Sequence, residues 1–139
     1  VETWSRRESV PAEDRQTFVE STALKLHNFY TASERIFERV AGDLNGARSR
    51  THDWHLRLLR TMAVEVPEVR PAVLSPELVE RLADYLRFRH LVRNIYGFEL
   101  DEERMAPLAQ GIEEVARELA TQVERLAAYL EALGRELSG

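Results

Sequence analysis

From Thr22 to Val40 the chain reads TALKLHNFYTASERIFERV, and this stretch decides the fold. Thr22, Leu26, Phe29, Ser33, Ile36 and Val40 recur at steps of four and three residues, which sets them on one stripe of an α-helix. The period predicts a first helix from about Glu13 to Ala41, ended by the turn residues Gly42, Asn45 and Gly46. Residues 1–12 have no period and read as a loosely ordered lead-in, as the cut end of a longer chain would, before a single domain over 13–139. Downstream, Trp54, Leu58, Met62 and Val66 repeat the helical spacing in a second run that starts near Thr51, and Pro67 is expected to stop it.

The stretch from Pro67 to Leu74 holds two prolines and no helical period, so it is expected to be an extended connection between helix ends. Ser75-Pro76 then restarts the helix. A serine hydroxyl accepts from an orphan amide at the helix start, and a proline in the first turn loses no bond because its missing donor had no partner there. The third helix is expected to run from Pro76 to about Tyr96, with Gly97 as its terminator. Asp101 is a second N-cap, flanked by Leu100 and Met105 at clamp spacing, and the last helix is expected to reach about Leu137. Pro107 lies beyond the first turn of that helix, where a kink or a restart is expected. Four helices joined by short links predict an all-α fold, an up-down four-helix bundle with crossings near 20 degrees.

Composition bounds the function. With 139 residues, 44% hydrophobic and 31% charged, the chain suits one globular domain. It has no cysteine, which excludes disulfides, thiolate nucleophiles and cysteine-ligated metals and makes a reducing, cytoplasmic setting the default expectation. No apolar run has the length of a membrane span, and Val1-Glu2-Thr3-Trp4-Ser5-Arg6-Arg7-Glu8 lacks the apolar centre of a signal peptide. A net charge of −5 disfavours a general nucleic-acid binder, so any contact with RNA must be local. Gly-rich phosphate loops, HExxH and Gly-x-Ser-x-Gly are all absent. His52 and His55, one turn apart, would hold a metal only if a third ligand such as His27 came near; packing and capping at the helix start is the plainer reading, and no metal is expected.

One window stands out against that acidic background. Between Tyr85 and Phe98 lie Arg87, Arg89, His90 and Arg93 and no acid, a local charge of +3. On a helical wheel Phe88, Leu91, Val92 and Ile95 mark the buried side, with Arg89 and Tyr96 together on one flank and His90, Arg93 and Asn94 extending the polar surface. Burying a guanidinium without a partner is costly, so Arg89 should meet a carboxylate, a phosphate or a second subunit. Asp84 and Glu20 are the internal acids that would satisfy it, in which case its neighbours form an ordinary solvated face.

Phe88-Arg89-His90-Leu91-Val92-Arg93-Asn94-Ile95-Tyr96 resembles the signature of HEPN-domain proteins, and specifically of HepT-like toxins. Leu24-Lys25-Leu26-His27-Asn28-Phe29-Tyr30, Glu34-Arg35-Ile36-Phe37-Glu38, Trp54-His55, Val66-Pro67-Glu68-Val69-Arg70-Pro71 and Gly97-Phe98-Glu99-Leu100-Asp101 also resemble segments of that family, from about residue 17 onward. The resemblance implies a helical bundle that forms homodimers and acts as a metal-independent ribonuclease without a cofactor. It further implies a cognate MNT-type nucleotidyltransferase as antitoxin, which transfers AMP to a motif tyrosine. The motif runs Arg, four residues, His, any residue, Tyr. Arg89 matches the arginine, His90 the polar residue after it, Tyr96 the tyrosine and modification site, while Asn94 stands at the histidine position.

The chemistry of the motif follows from its residue types. An arginine holds the scissile phosphate and its developing charge, with Arg87 and Arg93 as further phosphate contacts, while a histidine moves protons at the ribose 2′-hydroxyl and the leaving oxygen. Asparagine cannot move protons, and losing such help costs about a hundred- to ten-thousandfold in rate. His90, roughly 40 degrees from Asn94 on the wheel, would replace it if it faced the same groove. Three readings follow: a HepT-like endoribonuclease with Arg89, Asn94 and His90 at its catalytic site; a non-catalytic HEPN module that binds RNA or a nucleotidyltransferase; or a purely structural bundle, which predicts that Arg89 is paired internally and that no groove forms in the oligomer.

Overall fold

The computed structural model describes residues 7–42, 53–94 and 102–138, of which the side chains of residues 7 and 92–94 are outside the description. Four α-helices occur among these residues: α1 (Arg15–Ala41), α2 (Trp54–Thr61), α3 (Pro76–Asn94) and α4 (Glu102–Ser138). The architecture is the expected all-α helical bundle. No described helix is long and apolar enough to cross a membrane.

Helix α1 follows a short 3₁₀ turn, Ala12–Asp14, and ends at Gly42, whose φ of 55° is a backbone state that glycine adopts without strain. Its buried line is Val19, Ala23, Leu26, Tyr30, Ser33, Glu34 and Phe37. The line is rotated slightly from the stripe read in the sequence: Thr22, Phe29, Ile36 and Val40 sit half-buried at its border. The rotation brings Tyr30 and Glu34 to the centre of the packing. The fork of Arg15 closes on Glu102, Nε to Oε1 at 3.2 Å and Nη2 to Oε2 at 2.9 Å, and joins the starts of α1 and α4.

Helix α2 is eight residues long and stops at Thr61, well short of Pro67. The Thr61 hydroxyl bonds back to the carbonyls of Arg57 at 2.9 Å and Leu58 at 2.7 Å. The amides of Met62, Ala63 and Val64 then reach back only three residues, each at 3.1 Å, so the last turn tightens and the helix ends. Arg70 completes the stop: its guanidinium donates to the carbonyls of Val64 at 3.0 Å, Pro71 at 3.1 Å and Thr61 at 3.2 Å. The segment after it is also more ordered than an extended link, since Val66 and Arg70 exchange both backbone bonds at 3.0 Å around Glu68, which has a φ of 65°.

Helix α3 begins where Ser75 predicts. Ser75 Oγ accepts from the Leu78 amide at 3.2 Å, and Gln122 of α4 holds the cap from outside through Oε1 on the Ser75 amide at 2.7 Å. It is the central element, packed on α1, α2 and α4. Leu78, Val79, Leu82, Ala83, Tyr85, Phe88 and Arg89 are therefore buried on more than one side, and Glu77, Glu80, Asp84, Arg87 and His90 are among its exposed residues.

Helix α4 runs without a restart through Pro107. The residue four positions before it, Glu103, is exposed and lies in the first turn, where a proline costs least. Met105, Ala109, Val115, Leu119 and Leu126 carry α4 against the core, and beyond Leu126 the helix is almost wholly exposed, Leu137 at 81%.

Candidate functional site

The arginine singled out from the sequence is buried. Helix α3 turns the Arg89 side chain inward beside Phe88, against α1 and the start of α2, and leaves it only 6% exposed. Its partner is Glu34, 8% exposed, with Nη2 at 3.1 Å from Oε2 and 3.3 Å from Oε1. Neither acid proposed from the sequence fills this role. Asp84 lies on the exposed face of α3 and meets Arg87 at 3.5 Å, while Glu20 lies on the outer face of α1 and accepts from Gln16 at 3.0 Å.

Two further contacts fix the guanidinium. Nη1 donates to Thr31 Oγ1 at 3.3 Å, and the guanidinium carbon sits 4.8 Å from the centroid of the Tyr30 ring, a cation–π distance. The Tyr30 hydroxyl is buried with no hydrogen-bond partner among the described residues. Burial, reinforced by the Glu34 carboxylate, pushes its ionisation well above the ordinary phenol range, and Arg89 opposes the shift.

His55 completes the cluster. Its Nδ1 is 2.8 Å from Glu34 Oε2 and 3.1 Å from Arg89 Nη2, and its ring stacks on Trp54 with centroids 3.7 Å apart and planes at 31°. A single ring nitrogen cannot donate to the carboxylate and accept from the guanidinium at once. The carboxylate contact is shorter and charge-assisted, and a bare Nδ1 lone pair facing a carboxylate would be repelled, so Nδ1 carries the proton. Nε2 has no hydrogen-bond partner among the described residues, and the imidazole is the most exposed of the three ionisable groups at 27%. The result is a graded site: a desolvated Arg89–Glu34 pair with a histidine at its outer margin.

The other sequence candidates distribute differently. His90 is exposed on α3, and Arg87 lines a surface groove of about 440 Å³ with Phe88, Leu91 and Arg104 on the α4 side of the helix. The fold thus turns Arg87 and Arg89 toward different neighbours. The side chains of Arg93 and Asn94, and Tyr96 altogether, are outside the described residues. So is His52; His27 lies 3.4 Å from Asn28, and no group of three or more potential metal ligands comes together among the described residues.

Glu34 and His55 were not read from the sequence as site residues. A signal existed for the first: Val19, Ala23, Leu26, Tyr30 and Phe37 form a helical line that passes through position 34, and a carboxylate on a core line demands a buried cation. For His55 the helix-start reading was correct in place, but its partner belongs to another helix.

No curated protein and no solved structure matches the chain. The model of the HepT-like protein family matches residues 21–130, a span that contains all of Thr31, Glu34, His55 and Arg89 as well as the motif from Arg89 to Tyr96. Most of the chain lies within that match, and it belongs to the HepT-like family of HEPN proteins.

Proposed function

We propose that this protein is the toxin of a toxin–antitoxin pair, acting as a metal-independent endoribonuclease that an MNT-type nucleotidyltransferase silences by transferring AMP to Tyr96. The observation that carries the reading is the convergence of Arg89, Glu34 and His55 from α3, α1 and α2 inside the family match. An imidazole at the outer margin of a buried Arg89–Glu34 pair supplies a group that moves protons, one of the functions that RNA cleavage needs. In this reading Arg93 extends the contact with the RNA backbone, and Asn94, at the motif histidine position, hydrogen-bonds phosphate without moving protons; Arg87, which faces the α4 side of α3, takes no part in it. AMP on Tyr96 would place an anion and bulk beside the motif cations and exclude RNA. A homodimer has surface to use, since Tyr129, Leu130 and Leu137 are exposed apolar side chains on α4.

One observation favours the purely structural reading. Arg89 is already neutralised by its own carboxylate, as a purely structural cation would be. Expression of the chain with and without a neighbouring nucleotidyltransferase separates the readings. Toxicity that the partner relieves, with a mass gain of one AMP or more that is lost in Tyr96→Phe, is the expected result. Normal growth and an unchanged mass refute the toxin reading.

A further inference from the structure

Resting on the ribonuclease reading above, we infer that His55 is the proton-transfer residue of this site, held in its working tautomer by Glu34. Three observations carry the assignment. Glu34 grips Nδ1 at 2.8 Å, which leaves Nε2 as the basic nitrogen, and a base oriented by a carboxylate is the arrangement that general-base catalysis uses. The Trp54 ring, its centroid 3.7 Å away and its plane tilted by 31°, packs against the imidazole and limits its rotation. Exposure rises outward from Arg89 at 6% and Glu34 at 8% to His55 at 27%, so the imidazole is the ionisable member that a ligand can touch.

The charges facing the imidazole are Glu34 from α1 and Arg89 from α3. They cancel formally, so protonation of His55 makes the cluster cationic at the moment the substrate phosphorane gains negative charge. In the ribonuclease reading the base acts on the 2′-hydroxyl beside a phosphodiester, which RNA has and DNA lacks.

The step balances without any further reactant. Nε2 takes the proton of the 2′-hydroxyl, and O2′ forms a bond to the adjacent phosphorus. The phosphorus–O5′ bond breaks, and O5′ takes its proton from solvent. The products are a 2′,3′-cyclic phosphate and a 5′-hydroxyl, and the imidazolium returns its proton to water. Glu34 is a positioning residue, acting through the ring it orients.

The test uses the purified full chain, a single-stranded RNA oligonucleotide and a buffer containing EDTA. His55→Ala is expected to slow cleavage by about a hundred- to ten-thousandfold, and added imidazole is expected to restore part of the rate. Circular dichroism checks that this variant is folded. Cleavage by His55→Ala at the wild-type rate, or a loss that imidazole does not rescue, overturns the role of His55 while the ribonuclease reading stands. An unmodified chain that never cuts RNA overturns both. Should His55→Ala fail to fold, nitrogen NMR of the unmodified chain decides: the neutral Nδ1–H tautomer, shifting in Glu34→Gln, is expected, and an Nε2–H tautomer overturns the assignment.

Discussion

A carboxylate in the core line of α1 is the single residue on which the site depends. Glu34 neutralises a guanidinium that would otherwise be desolvated alone, and it fixes the proton of His55. Glu34→Ala is therefore expected to destabilise the fold by about 3–5 kcal/mol, the usual cost of orphaning a buried charge. Glu34→Leu combined with Arg89→Met should recover much of that loss, which a urea double-mutant cycle measures. Tyr30→Phe is expected to be neutral or stabilising, because it removes a buried hydroxyl without a described partner and keeps the ring beneath Arg89. A loss above about 1 kcal/mol in the same assay would show that the hydroxyl is bonded. The need of Arg89 for a partner was legible in its place beside an apolar stripe. The partner was not, because it lies on another helix and depends on how α1 rotates against α3.

At the scale of elements, the start of α3 was the boundary easiest to read and the end of α2 the hardest. Ser75-Pro76 states its cap in two adjacent residues, and the structure places the Leu78 amide on that hydroxyl. The end of α2 is set by Arg70, nine residues beyond Thr61 in the chain, through bonds no local pattern encodes. Arg70→Ala leaves the carbonyls of Thr61, Val64 and Pro71 without that donor and is expected to cost about 1–3 kcal/mol in thermal or urea unfolding. Pro107 shows the converse. Its clash rule is sound for a helix interior, yet near the start of α4 the affected carbonyl belongs to an exposed residue. The exposed end of α4 contributes little to the core of its own chain, so at concentrations where the protein is monomeric a chain trimmed after Leu130 should unfold within about 2 °C of the full chain by calorimetry. A much larger drop at higher concentrations would show that a second copy covers this helix.

For the whole molecule, the class of fold was legible because three long helices each carry apolar residues at helical spacing, and their number and order survive errors at their ends. Tyr85 and Tyr30 add a global signature. Burial raises the Tyr85 phenol from 10.0 to about 12, and its hydroxyl donates to the Leu108 carbonyl at 2.6 Å; Tyr30 is raised further. An unfolded chain loses these protons near pH 10 while the folded chain keeps them, so stability should hold up to about pH 10 and fall from there towards pH 12. Urea titrations across that range, with Tyr85→Phe reducing the slope, check the sign. The family followed from the motif between Arg89 and Tyr96, whereas the side chains that gather around Arg89 did not, since Glu34 and His55 lie on α1 and α2. The central claim is that this cluster cuts RNA without a metal, and its most direct test is one RNA oligonucleotide incubated with the purified chain in EDTA. Internal cleavage, abolished by a 2′-deoxy substitution at the cut nucleotide, is the predicted result; RNA that is bound but stays intact would contradict it.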